Sequence, residues 1–121
     1  MKPLCAALLL AASLAAPAFI PVFAHAMLLQ SSPANGAAVA PPTNISLIFT
    51  EEVQNNVAVT IARDGAPVPM GAVSLAPNFS VITVTPAAPF APGNYVVTWH
   101  NTARDDGHKA NGSFSFTVKT P

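Results

Sequence analysis

Charge is scarce in this chain. Five basic and five acidic side chains make up 8% of its 121 residues and cancel to a formal charge of zero. No basic stripe is available to neutralise phosphates, which argues against nucleic acid as a partner. Cysteine is scarcer still: the single one, Cys5, lies near the start, so no internal disulfide can form. The usual marks of catalysis are also missing. No Gly-x-Ser-x-Gly elbow and no glycine-rich phosphate loop after a strand occurs. The acidic pairs Glu51-Glu52 and Asp105-Asp106 are sequence neighbours, which point apart on a strand and so make poor acid–base dyads. The expectation is a protein that is not an enzyme. No window has a convincing amphipathic helical pattern, and thirteen prolines argue against a helical bundle.

Apolar residues are plentiful, and they crowd the front. Of residues 1–24, nineteen are apolar, Lys2 is the only charge, and Pro17 and Pro21 break the run before it closes on Val22-Phe23-Ala24. A cationic start, an apolar centre and a small-residue exit are the three parts of a secretory signal peptide. Val22 and Ala24 occupy the small-residue positions three and one before a cut, which predicts cleavage after Ala24 and secretion of the remainder. A membrane anchor is the alternative, but the stretch is near the lower length limit for spanning and is interrupted by proline. Too little chain precedes Cys5 for it to carry a lipoprotein anchor. Removing 24 of the 121 residues leaves 97, running 25–121 and starting at His25, with four basic and five acidic residues and a formal charge of −1. That domain has no cysteine, which excludes thiolate metal sites and thiol nucleophiles.

The remaining chain reads as all-β. Ile45, Leu47 and Phe49 fall on alternate positions; so do Val57, Val59 and Ile61, Tyr95, Val97 and Trp99, and Phe114, Phe116 and Val118, with mostly small or polar residues between them. Period-two patterning is the signature of a half-buried strand. Segments 73–75 and 79–85 and an opening strand over 25–30 complete about seven short strands, separated by turn sequences such as Arg63-Asp64-Gly65 and Ala91-Pro92-Gly93-Asn94. Such spacing predicts a Greek-key β-sandwich or barrel. Trp99 and Tyr95 share a face and are read as core anchors, which leaves His100 pointing outward.

Two features among so few polar residues point to a metal. The predicted cut makes His25 the first residue, with an α-amine and an imidazole able to close a chelate ring on one ion. The reference pKa of an α-amine is about 7.7–8.0, so a metal displaces its proton readily near neutral pH. The triplet Asp106-Gly107-His108 adds a carboxylate and an imidazole two residues apart, with Gly107 allowing the backbone to turn between them. Three nitrogens and one oxygen suit Cu(II), although zinc accepts similar donors. A terminal histidine with a second histidine is also the copper centre of oxidative polysaccharide-cleaving enzymes. This chain is short, and its one tryptophan and one tyrosine are assigned to the core, leaving no evident substrate plane. A metal-free immunoglobulin-like interaction module is the other alternative.

These residues also carry a resemblance. His25-Ala26, then Leu29-Gln30-Ser31-Ser32-Pro33-Ala34-Asn35-Gly36, the strand Ile45-Ser46-Leu47-Ile48-Phe49-Thr50-Glu51, the run from Ala91 to Trp99, Asp106-Gly107-His108 and the closing Gly112-Ser113-Phe114-Ser115-Phe116-Thr117-Val118 occur in an order and spacing similar to the CopC family of periplasmic copper-binding proteins. The resemblance implies a cupredoxin-like or immunoglobulin-like Greek-key fold and a Cu(II) site at the mature amino terminus. Its ligands would be His25 through amine and Nδ1, Asp106 through oxygen, and His108 through a ring nitrogen. Glu51 matches a family carboxylate and is taken as an outer or optional ligand. The run from Trp99 to His108 is one residue longer than the family's, the extra residue lying within 101–105. That leaves Asp105 as the alternative to Asp106, which is favoured because the triplet is intact. Only Met27 and Met70 remain in the mature chain, too few for a thioether Cu(I) site, so Cu(II) alone is expected. The resemblance further implies a monomer that passes copper to an inner-membrane transporter of the CopD type.

Overall fold

Alternation becomes strand wherever the sequence sustains it. The computed structural model describes residues 25–121, so the expected signal peptide at 1–24 lies outside the described residues. Nine strands follow in order: β1 (Leu28–Ser32), β2 (Ala37–Val39), β3 (Ile45–Phe49), β4 (Ala58–Arg63), β5 (Ala66–Pro67), β6 (Met70–Leu75), β7 (Val81–Pro86), β8 (Gly93–Thr102) and β9 (Lys109–Val118). No helix occurs among the described residues. One sheet has the order β1-β3-β7-β6 and the other β2-β9-β8-β4-β5, and the two enclose one core. All pairings are antiparallel except β2 on β9, which is parallel.

The all-β sandwich expected from the sequence is present, with two more strands than the seven read there. Both extra strands are too short for period two to show: β2 has three residues and β5 two. The first strand begins at Leu28 rather than His25, leaving residues 25–27 as an extension beyond the ladder. Phe79 falls outside β7, in a turn, with a positive φ of 62°.

The core is built from the predicted faces. Ile45, Leu47 and Phe49 of β3 meet Val59 and Ile61 of β4, Tyr95, Val97 and Trp99 of β8, and Phe114, Phe116 and Val118 of β9, all buried. Burying one large apolar side chain contributes about 1.5–3 kcal/mol. Phe49 and Trp99 pack edge to face at 5.1 Å across the two sheets, and Tyr95 stacks on Phe116 at 5.2 Å. The Tyr95 hydroxyl donates to the Ala91 carbonyl at 2.6 Å, and burial pushes its pKa above the ordinary value. The Trp99 indole lies over Gly112, its cross-strand partner, where a Cβ would come within 2.7 Å of the ring. The β8–β9 ladder runs unbroken from Gly93↔Val118 to Thr102↔Lys109 and carries the 103–108 turn at its end.

Candidate metal centre

The 103–108 turn is closed by its own backbone. The Ala103 amide donates to the His108 carbonyl at 2.7 Å, and the Gly107 amide donates to Ala103 at 3.1 Å. Gly107 sits at φ +74°, the left-handed region that a residue without Cβ enters freely. This bend turns Asp106 back on His108: Asp106 Oδ1 accepts from the His108 amide at 3.1 Å, and Oδ2 lies 2.8 Å from His108 Nδ1. The His108 amide bond, more than the imidazole, holds the Asp106 carboxyl below the usual carboxylate range. A carboxylate so placed orients the ring of its histidine. The two side chains stay 34% and 48% exposed, open to an ion from solvent.

Residues 25–27 arrive at the same end of the sandwich. Beyond Leu28, Thr50 extends the pairing: its amide donates to the Met27 carbonyl at 2.8 Å, and its hydroxyl accepts from the Met27 amide at 3.1 Å and donates to the His25 carbonyl at 3.4 Å. From below, Asn101 Nδ2 donates to the Ala26 carbonyl at 2.8 Å. So held, His25 places its ring 5.3 Å from that of His108, edge to face at 89°. Two nitrogens each about 2.0 Å from one ion stand at most about 4 Å apart, a separation within reach of rings at that spacing. Two residues 83 positions apart in the chain, both singled out from sequence, are thus neighbours in space.

The other candidates lie elsewhere. Asp106, not Asp105, meets His108; Asp105 lines a shallow cavity of about 210 Å³ with Glu51, Glu52 and Ala103. Among the described residues, no three His, Cys, Asp or Glu side chains converge into a metal cage. The Asp106 carboxylate is turned onto its own histidine. The further donor expected of His25, its α-nitrogen, is a peptide nitrogen as long as Ala24 precedes it. His100 is exposed on the outer face of β8, beside Asn56, Lys109 and Asn111, as its alternation with Trp99 predicts.

Three further residues support the site; of these the sequence marks only Arg104, as a cation able to pair with a local acid. Thr50 and Asn101 grip residues 25–27, and Arg104 ties the turn to its surroundings. Its guanidinium lies 3.5 Å over the Phe79 ring and 3.9 Å from the exposed Glu52 carboxylate, while its amide donates to the Glu52 carbonyl at 2.9 Å. Of the other two, only Asn101 leaves a clue, a polar residue where the Tyr95, Val97, Trp99 alternation calls for another apolar one.

Residues 28–119 match the model of the CopC domain. The chain belongs to the CopC family. Copper resistance protein C of Xanthomonas campestris pv. juglandis is 34% identical over 119 residues, covering 92% of this chain and 91% of that protein. Copper resistance protein C of Pseudomonas syringae pv. tomato is 34% identical over 104 residues, covering 79% and 82%. Among solved structures, that of PcoC, a methionine-rich copper resistance protein from Escherichia coli, superposes with a TM-score of 0.72 at 29% identity, covering 79% of this chain and all of that one. CopC from Methylosinus trichosporium OB3b gives 0.71 at 30% identity, covering 78% and 94%. The β-sandwich of this CopC domain is thus shared with the family, while His25 stands three residues ahead of the matched segment.

Proposed function

We propose that this CopC-family chain is an exported, monomeric, non-enzymatic copper-binding protein. In this reading residues 1–24 are removed on export, and the domain 25–121 holds Cu(II) in the periplasm with His25, Asp106 and His108. It sequesters the ion in copper tolerance, or delivers it in uptake to a membrane transporter of the CopD type. The observation that carries the proposal is the approach of the His25 and His108 rings to 5.3 Å, with Asp106 on His108, in a chain whose relatives are named copper resistance proteins.

The chemistry follows from the donors. Copper(II) heads the affinity order of divalent first-row ions and favours mixed nitrogen and oxygen ligands in a tetragonal plane. His25 offers amine and ring nitrogen from one residue, His108 a second ring nitrogen, and Asp106 a negative charge beside them. Asp106 would supply an oxygen to the ion, and its contact with His108 Nδ1 orients that ring. Glu51, exposed one residue after Thr50, is an outer carboxylate.

Processing provides the test. One extra residue before His25 converts the amine to an amide and removes the chelate ring. Competition titration should show Cu(II) affinity lower by about tenfold or more, ~1.4 kcal/mol, both in the extended form and in mature His25→Ala. Equal affinity in all three forms refutes the site.

A further inference from the structure

Strand β8 sends a side chain inward at every second residue. Tyr95, Val97 and Trp99 fill the core, and the next inward position holds Asn101, 3% exposed. Its Nδ2 donates to the Ala26 carbonyl at 2.8 Å, whereas its Oδ1 is buried with no protein hydrogen bond. A buried amide satisfied on one side only is a poor choice for stability, because an aliphatic side chain of similar shape carries no desolvation cost. The reason for an asparagine here therefore lies in what the satisfied half holds.

That half holds the segment beginning at His25. Ala26 is fully buried, the β1–β3 ladder ends at Leu28, and residues 25–27 are gripped by Thr50 on one side and Asn101 on the other. Termini without such ties fray. We propose that Asn101 is the positioning residue of the copper site. Its bond to the Ala26 carbonyl fixes the backbone next to His25, so that the histidine presents amine and ring to His108 in one arrangement before the ion arrives. The inference rests on the Cu(II) reading above. Without the clamp, the ordering of residues 25–27 is charged to binding, which lowers affinity. Removing an outer group that orients metal ligands typically lowers affinity by about 10–100-fold.

The experiment uses the mature chain beginning at His25, with Asn101→Leu, which keeps the bulk and removes both amide groups, and Asn101→Ser, too short to reach Ala26. Three quantities are read: Cu(II) affinity by competition titration, the copper EPR spectrum, and the backbone ¹⁵N heteronuclear NOE of Ala26 and Met27 in the metal-free protein. The expected result is an affinity lower by about 10–100-fold, altered copper hyperfine splitting and a lower NOE at residues 26–27. A merely structural asparagine would move the melting temperature and leave the spectrum alone. Wild-type affinity, spectrum and NOE in both variants overturn the proposal while the copper reading stands. Failure of the wild-type mature chain to take up Cu(II) overturns the copper reading and, with it, this role for Asn101.

Discussion

Replacing Gly107 by alanine tests the geometry of the site most directly, because the structure separates the two ways such a change can act. A Cβ added at Gly107 meets nothing within 4 Å, so no clash contributes. The whole cost is conformational. Gly107 sits at φ +74°, and an L-residue there is disfavoured by about 1–2 kcal/mol. If the turn keeps its shape, that amount leaves the stability of the folded protein and copper affinity stays unchanged. If the alanine turn instead relaxes to negative φ, it breaks the bond from the Gly107 amide to Ala103 and moves Asp106 away from His108. Restoring the site then costs binding the same energy, a factor of about 5–30 in affinity. The cost falls on one of the two measurements or is divided between them, so urea unfolding and Cu(II) titration of the same preparation should together account for about 1–2 kcal/mol. Gly107→Asn is the control, since asparagine tolerates the left-handed region, and it should recover most of both. Unchanged stability and affinity in Gly107→Ala, or an asparagine variant as impaired as the alanine one, would refute the reasoning.

Gly112→Ala should act on the scaffold alone. Its Cβ would come within 2.7 Å of the Trp99 ring, an overpacking cost of about 1–3 kcal/mol in chemical denaturation, with any copper that remains bound giving a wild-type spectrum. The metal-free protein should also lose stability in acid through Asp106. Its carboxyl lies below the ordinary value of 3.8 in the folded chain, so its contribution is complete above 3.8 and fades as pH falls through the lower folded value. Melting temperatures of wild type and Asp106→Asn should therefore converge on acidification below pH 3.8, and a gap that stays constant across that range would contradict the assignment.

The fold was legible because its core is periodic. Ile45-Leu47-Phe49, Tyr95-Val97-Trp99 and Phe114-Phe116-Val118 each put three large apolar residues on one face, and all nine are buried. Periodicity needs length, which is why β2 and β5 were missed: two or three residues cannot show alternation. Their pairing is set instead by position, β2 lying parallel to β9 and β5 closing a tight turn with β4 through Asp64 and Gly65, both at positive φ. Phe79 shows the opposite failure. An aromatic residue beside β-branched neighbours reads as strand, yet tertiary structure holds it at φ +62° under the Arg104 guanidinium. Local propensity gives way there to a long-range contact that no window of sequence contains.

The site divides along the same line. His25, Asp106 and His108 could be named from sequence because metal donors belong to few residue types, and this chain has few of them. Thr50 and Asn101 could not be named as their supports, because threonine and asparagine occur everywhere and act here only through partners 25 and 75 residues away. Asn101 is the instructive intermediate. Position along β8 marks it as inward, chemistry marks it as costly, and only the fold reveals that the cost is incurred beside residues 25–27. A polar residue interrupting an apolar alternation near the end of a long strand is therefore worth reading as a tether. In this molecule the tether joins the β8–β9 ladder to residues 25–27, which lie beyond the β1–β3 ladder. The ladder also carries the Asp106-Gly107-His108 turn, so one pair of strands touches both halves of the candidate site, with Thr50 beyond β3 completing the hold on residues 25–27.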